Sequence, residues 1–74
     1  MHIEVNYLKD AAIYVKTKGK LDIYNTDEYL NEIKKYLGHT KELILDFSEI
    51  DYVASIGIRA IFELNSIMSE KKAQ

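Results

Sequence analysis

The chain has 74 residues, enough for one small domain, and a hydrophobic fraction of 47%, high enough to fold it. Its formal net charge of −2 argues against holding nucleic acid by bulk electrostatics. Cysteine is absent, which excludes disulfides and thiolate metal sites, and no apolar run nears the ~20 residues that span a bilayer.

Residues 2–8, HIEVNYL, alternate, with Ile3, Val5 and Tyr7 on one face and His2, Glu4 and Asn6 on the other, which predicts a half-buried strand. Lys9 and Asp10 form a turn, and AAIYVKTKG resumes the alternation through Ile13, Val15 and Thr17, so the two runs predict an antiparallel hairpin. Gly19 ends the second strand. NTDEYLNEIKKYLG predicts a helix capped by Asn25, with Glu28 placed as in a capping box and Gly38 as the residue past its end. Leu30, Ile33 and Leu37 form its inward stripe, flanked by Tyr29 and Tyr36. The run LILDF, 43–47, is continuous and apolar, predicting a strand buried on both faces and parallel to its neighbour.

A loop over EIDYVA leads to a second helix from Ser55 to Glu70, with Ala60, Ile61, Leu64, Ile67 and Met68 inward and Arg59, Glu63, Ser66 and Glu70 wet. SEKKAQ is expected to fray. The order β-β-α-β-α predicts an α/β layer with a mixed sheet and a right-handed crossover between the parallel strands. No further crossover returns the chain to another strand, so the third strand keeps an apolar, proline-free edge. Such an edge is a template for pairing, and a homodimer through residues 43–47, or by exchange of terminal elements, is expected. The N-terminus, MHIEVNY, lacks the design of a signal peptide, so a cytoplasmic location is expected.

Ser55, at the junction of loop and helix, has three readings. A nucleophilic serine needs a base, yet His2 and His39 are remote in sequence and ASIGI lacks the Gly-x-Ser-x-Gly pattern. A small hydrolase, using Ser55 or metal-binding aspartates, is therefore the outlying reading, and no catalytic residue, metal or cofactor is assigned. As an N-cap, Ser55 would stabilise the helix by about 1 kcal/mol. As a phosphate acceptor, it has a helix N-terminus beneath it, and Gly57 clears the approach. Asp22, Asp46, Glu49 and Asp51 surround it, and about −1.5 to −2 added charges would change the surface a partner meets. Arg59 and Glu63 are spaced as a surface pair, or Arg59 faces the phosphate or a partner's carboxylate. The six tyrosines read mostly as core-edge residues with wet hydroxyls.

GKLDIYNT followed by LILDFSEIDYVASIGIRAI resembles the STAS domain family, shared by bacterial anti-sigma factor antagonists and the cytosolic tails of sulfate transporters. Gly19, Leu21 and Asp22 match its Gly-x-Leu-Asp signature. Asp46 and Ser48 match an Asp-x-Ser, and Ser55, Gly57 and Ile58 fall within the Asp-Ser-Ser-Gly-Leu that opens the helix. Ala54 stands where the family usually has aspartate, and Ile56 where it usually has a second serine or threonine. The resemblance implies a small STAS-like β-β-α-β-α layer without the family's last strand and helix, roughly 30 residues by ordinary element lengths.

The resemblance further implies a protein-binding switch. The unmodified form would bind an anti-sigma factor with serine-kinase activity, freeing a sigma factor, and phosphorylation of Ser55 would abolish binding. Asp22, Asp46, Ser55, Ile56, Gly57, Ile58 and Arg59 would form the partner surface, with no nucleic acid, membrane insertion or cofactor. The alternative is a non-phosphorylated scaffold subunit of a transporter or signalling complex, which Ala54 and Ile56 favour.

Overall fold

Asp10 and Ala11 both adopt left-handed backbone, with φ of 62° and 59°. That turn folds β1 (His2–Leu8) against β2 (Ala12–Leu21) as the expected antiparallel hairpin. Left-handed conformation suits the twist of hairpin strands but costs an alanine about 1 kcal/mol. In the computed structural model, which describes residues 1–73, the chain then crosses through α1 (Thr26–Lys34) to β3 (Glu42–Val53). It continues as α2 (Ser55–Ala73). β3 is parallel to β2, and the sheet order is β1-β2-β3.

The core lies on one face of this sheet. Ile13, Val15 and Leu21 from β2 meet Tyr29, Ile33 and Leu37 from the first helix region and Leu64 and Met68 from α2. Leu43, Leu45 and Phe47 pack against this cluster from β3. Ile44 points to the other face and is 37% exposed, so the apolar run is not buried on both faces as expected. Two helices cover one side of three strands, and the opposite side stays open. On that open side Lys16 and Lys18 both reach Glu49, at 3.2 and 3.6 Å.

β3 is also longer than the expected 43–47, and it replaces all but Ala54 of the expected loop over 49–54. Two irregularities make this possible. Lys16 pairs with Asp46 but Lys18 with Glu49, and Gly19 pairs with Ile50 but Lys20 with Tyr52. Each step gives β3 one residue more than β2, which is a β-bulge. Asp46 braces the first bulge, its Oδ1 accepting the Ser48 amide at 2.8 Å and its other oxygen accepting the Tyr14 hydroxyl. Gly19, with φ 102°, occupies a conformation open to glycine at the second.

Several local expectations need correction. Tyr29 joins Ile33 and Leu37 on the buried face of the first helix region, and Leu30 packs only partly buried beside them. The Tyr29 hydroxyl and that of Thr17 are buried without a well-formed hydrogen bond. Burial pushes the Tyr29 pKa up to about 12, the neighbouring Thr17 hydroxyl opposing the rise. Tyr7, Tyr24 and Tyr52 are mostly exposed rather than core-edge. Gly38 takes no left-handed conformation. The carbonyls after α1 are met instead by the Thr40 hydroxyl, on Tyr36, and by Lys71 Nζ, on Leu37 at 2.6 Å and Gly38 at 3.0 Å. That anchor, with buried Met68, keeps α2 helical to Ala73 where fraying was expected, and Gln74 lies outside the described residues.

Candidate functional site

β2 and β3 end together: Leu21 pairs with Val53, and the Ala54 amide donates to the Leu21 carbonyl at 2.8 Å. The loop leading to α1 and the first turn of α2 therefore leave the same end of the sheet. The carboxyl ends of parallel strands are where α/β layers present their sites.

The Ala54 carbonyl accepts the Gly57 amide at 2.9 Å and the Ile58 amide at 3.1 Å. Those are the first bonds of α2, so Ala54 is the N-cap and Ser55 the first residue inside the helix. The N-cap role expected of Ser55 is corrected by one position. Ser55 is exposed, and its hydroxyl has no hydrogen-bond partner among the described residues. The first turn of α2 contains no acidic residue.

Gly57 faces inward. A Cβ there would lie 2.9 Å from Val53 Cγ1 and 3.0 Å from Leu21 Cδ2, so glycine lets α2 begin directly on the two strand ends. It presents no side chain to an incoming partner. Ile58 and Phe62 stand three and seven residues after Ser55 and share its outward face, Ile58 46% and Phe62 65% exposed. Tyr52, at the end of β3, and Ile23 and Tyr24, in the β2–α1 loop, add exposed apolar surface at the same end of the sheet. Sequence reasoning named Ile58 and missed the other four. Phe62 was detectable, since it falls off the buried stripe of α2, and so was Ile23-Tyr24, apolar residues inside a turn.

Ile56 is half-buried and, with Arg59, Asp27 and Leu30, lines a shallow groove of about 110 Å³ between the helices. The expected Arg59–Glu63 pair does not form. Glu63 bonds Lys34 of α1 at 2.5 Å, and Arg59 has no ion pair among the described residues.

Asp22 is brought to the same end as Ser55, but its carboxylate is occupied. Oδ1 accepts the Tyr24 amide at 2.9 Å and the Asn25 amide at 3.2 Å. Asn25 makes no side-chain cap; its carboxamide accepts the Asp22 amide and donates to the Lys20 carbonyl, both at 2.9 Å. Asp22 thus closes the turn that leads into α1, and the side-chain cap expected of Asn25 does not form.

Asp46 is not brought to Ser55. It pairs with Lys16, five β2 residues before the Leu21–Val53 pair, about 16 Å back along the strand. There the Tyr14 hydroxyl, and then Ser48, hold its carboxyl down to about 2. Neither histidine reaches Ser55 as a base. His2 lies against Glu4 at 3.5 Å, and His39 precedes β3, at the strand's far end. No group of three His, Asp or Glu side chains among the described residues could hold a metal ion.

The STAS domain profile matches residues 3–74. The chain belongs to the STAS domain family. This STAS chain is similar to the solved structure of the anti-sigma factor antagonist SpoIIAA in its unphosphorylated form, with a TM-score of 0.79 and 12% identity. The likeness covers 96% of this chain and 66% of that one, so the chain spans about two thirds of the length of that relative. At such identity it shows the fold, β-β-α-β-α with a mixed three-stranded sheet. No curated protein matches the chain. No helix among the described residues is long and apolar enough to cross a membrane.

Within the STAS frame the signature residues acquire physical tasks. Asp46 and Ser48 close a bulge, Gly57 permits close packing, and Asp22 closes the turn that leads into α1. Ala54, where the resemblance expects aspartate, holds the N-cap position of α2 and offers it no side-chain acceptor.

Proposed function

We propose that this STAS domain works by binding another protein through the exposed end of the sheet around Ser55, as an anti-sigma factor antagonist does. The partner is an anti-sigma factor with serine-kinase activity, and phosphorylation of Ser55 switches the complex off. One observation carries the reading: a serine with a free hydroxyl stands at the first position of α2, flanked on the same face by exposed Ile58 and Phe62. Exposed apolar surface at such a position is what a partner protein covers. A phosphate added there places roughly two negative charges beside an apolar docking surface, which raises the desolvation cost of binding. Asp22 and Gly57 support the surface from beneath, and Ile56 and Arg59 extend it toward α1. Asp46 contributes through the shape of β3, away from Ser55.

The test is the intact mass of the protein recovered from its native host, with and without phosphatase. A phosphate mapped to Ser55, together with partner capture by Ser55→Ala and none by Ser55→Asp, supports the switch. Absence of phosphate under all growth conditions overturns it.

A second reading is favoured by Ala54. Without an acidic side chain at the N-cap, nothing in the first turn orients the Ser55 hydroxyl for transfer. The domain would then be a constitutive scaffold subunit, binding through the same apolar surface in both Ser55→Ala and Ser55→Asp forms.

A further inference from the structure

Ser55 is exposed, and the side chains on either side of it around α2 differ in kind. At 3.6 residues per turn, Arg59 is displaced from Ser55 by about 40° one way round the helix and Ile58 by about 60° the other way. Arg59 lines the shallow groove with Asp27, Leu30, Ile56 and Glu63, on the flank of α2 that faces α1. Ile61 and Asn65 mark the opposite flank, where they line a groove with Leu43 and Leu45 of β3. The charges around Arg59 leave its guanidinium unengaged. Glu63 bonds Lys34 at 2.5 Å, and neither Asp27 nor Arg59 belongs to an ion pair among the described residues. The first turn of α2 has no acid.

We infer that Arg59 is the positioning residue that holds a phosphate on Ser55. This role for Arg59 rests on the phosphorylation proposed above and gives that phosphate a partner within the domain. On that reading the Ser55 oxygen bonds to the terminal phosphorus of a nucleoside triphosphate, the diphosphate leaves, and the hydroxyl proton passes to solvent. Side chains four apart on a helix stand about 5–6 Å between Cβ atoms. That separation lets a planar guanidinium donate two parallel N–H bonds to a phosphate. The anion lies N-terminal to the cation, which is the favourable order along a helix. Ala54 offers no carboxylate to compete for Arg59 or to repel the phosphate. Pairing draws the phosphate toward α1 and away from Ile58. The modification thus occupies one flank of Ser55 and the apolar docking surface the other.

The experiment places phosphoserine at position 55 during synthesis of the full chain, so it does not depend on whether the host modifies Ser55. Phosphorus NMR follows the phosphate through a pH titration, and thermal unfolding is measured with and without the phosphate. With Arg59 present the phosphate is expected to lose its last proton at lower pH than in Arg59→Gln, with Arg59→Lys in between. The phosphate is also expected to raise the melting temperature by about 3 °C more with Arg59 than with glutamine there. Without phosphate, Arg59→Gln should melt where the unsubstituted chain does, so the difference reads the pair and not the fold. Equal titration points with and without Arg59 overturn the assignment, and so does a phosphate-dependent gain in melting temperature that survives Arg59→Gln whole. Absence of phosphate from the protein recovered from its host overturns the switch, whereas the titration alone decides the pairing.

Discussion

At the start of α1 the Asp22 carboxylate takes two backbone amides, the Asn25 carboxamide ties Lys20 to Asp22, and the Thr26 hydroxyl donates to the Asp22 carbonyl at 2.6 Å. Asp27 and Glu28 add negative charge to the same turn. At the start of α2, beside it on the same end of the sheet, the N-cap is alanine, the first turn has no acid, and the serine hydroxyl is free. Both helices pack on the same core, so the difference is local. A side-chain cap stabilises a helix end by about 1 kcal/mol and engages the amides it satisfies. The bare end gives up that stability and leaves its donors and its hydroxyl unengaged. One start is tied down by side chains, the other is not.

That contrast can be broken by substitution. The largest effect is expected for Asp22→Ala, which strips the acceptor from two amides and should cost about 2 kcal/mol in urea denaturation. Asp22→Asn, retaining an oxygen acceptor, should cost about half of that. Gly57→Ala comes next. Helix propensity favours alanine by about 1 kcal/mol, but the added methyl presses on Val53 and Leu21, for a net loss of about 1 kcal/mol. A neutral result would mean that α2 does not sit as close to the strand ends as described.

Ala54→Asp should act in the opposite direction, stabilising by about 1 kcal/mol by capping the bare end. No gain would show that Ala54 is not the N-cap. Ser55→Ala should change stability by less than about 0.5 kcal/mol, since the hydroxyl bonds nothing. If it cost as much as Asp22→Ala, the two starts would be alike after all.

Acid supplies a control away from both helix starts. Asp46 titrates at about 2 in the fold against a usual 3.8, held down mainly by the Tyr14 hydroxyl. The stability it confers is present above pH 3.8 and is lost as pH falls toward 2, and Asp46→Asn should flatten that part of an acid titration.

The period of two in HIEVNYL and in AAIYVKTKG located the hairpin, and the apolar stripe and capping pattern of NTDEYLNEIKKYLG located α1, because both patterns depend only on near neighbours. Ser55 was placed at its junction within one residue. Residues 49–54 read as a loop because two extra residues shift their alternation against any single template, and bulges are set by the partner strand. The task of Gly57 depends on Leu21, thirty-six positions earlier, so no local pattern could reveal it. Asp46 joined the predicted site through the Asp-x-Ser resemblance and its nearness to Ser55 in sequence, but along an extended strand nearness in sequence is not nearness in space.

The paired bulges in β3 also bear on how relatives of this chain should be compared. An extra residue held in a bulge leaves the alternation of faces on either side intact. A related domain could drop one of them, near Phe47-Ser48 or at Asp51, and still direct Leu43 and Val53 to the same core. Between such relatives an alignment that forbids gaps inside strands would slide out of step across the Asp-x-Ser signature and undercount true correspondences. Placing the gap at a bulge, and scoring the segments before and after it separately, would recover them.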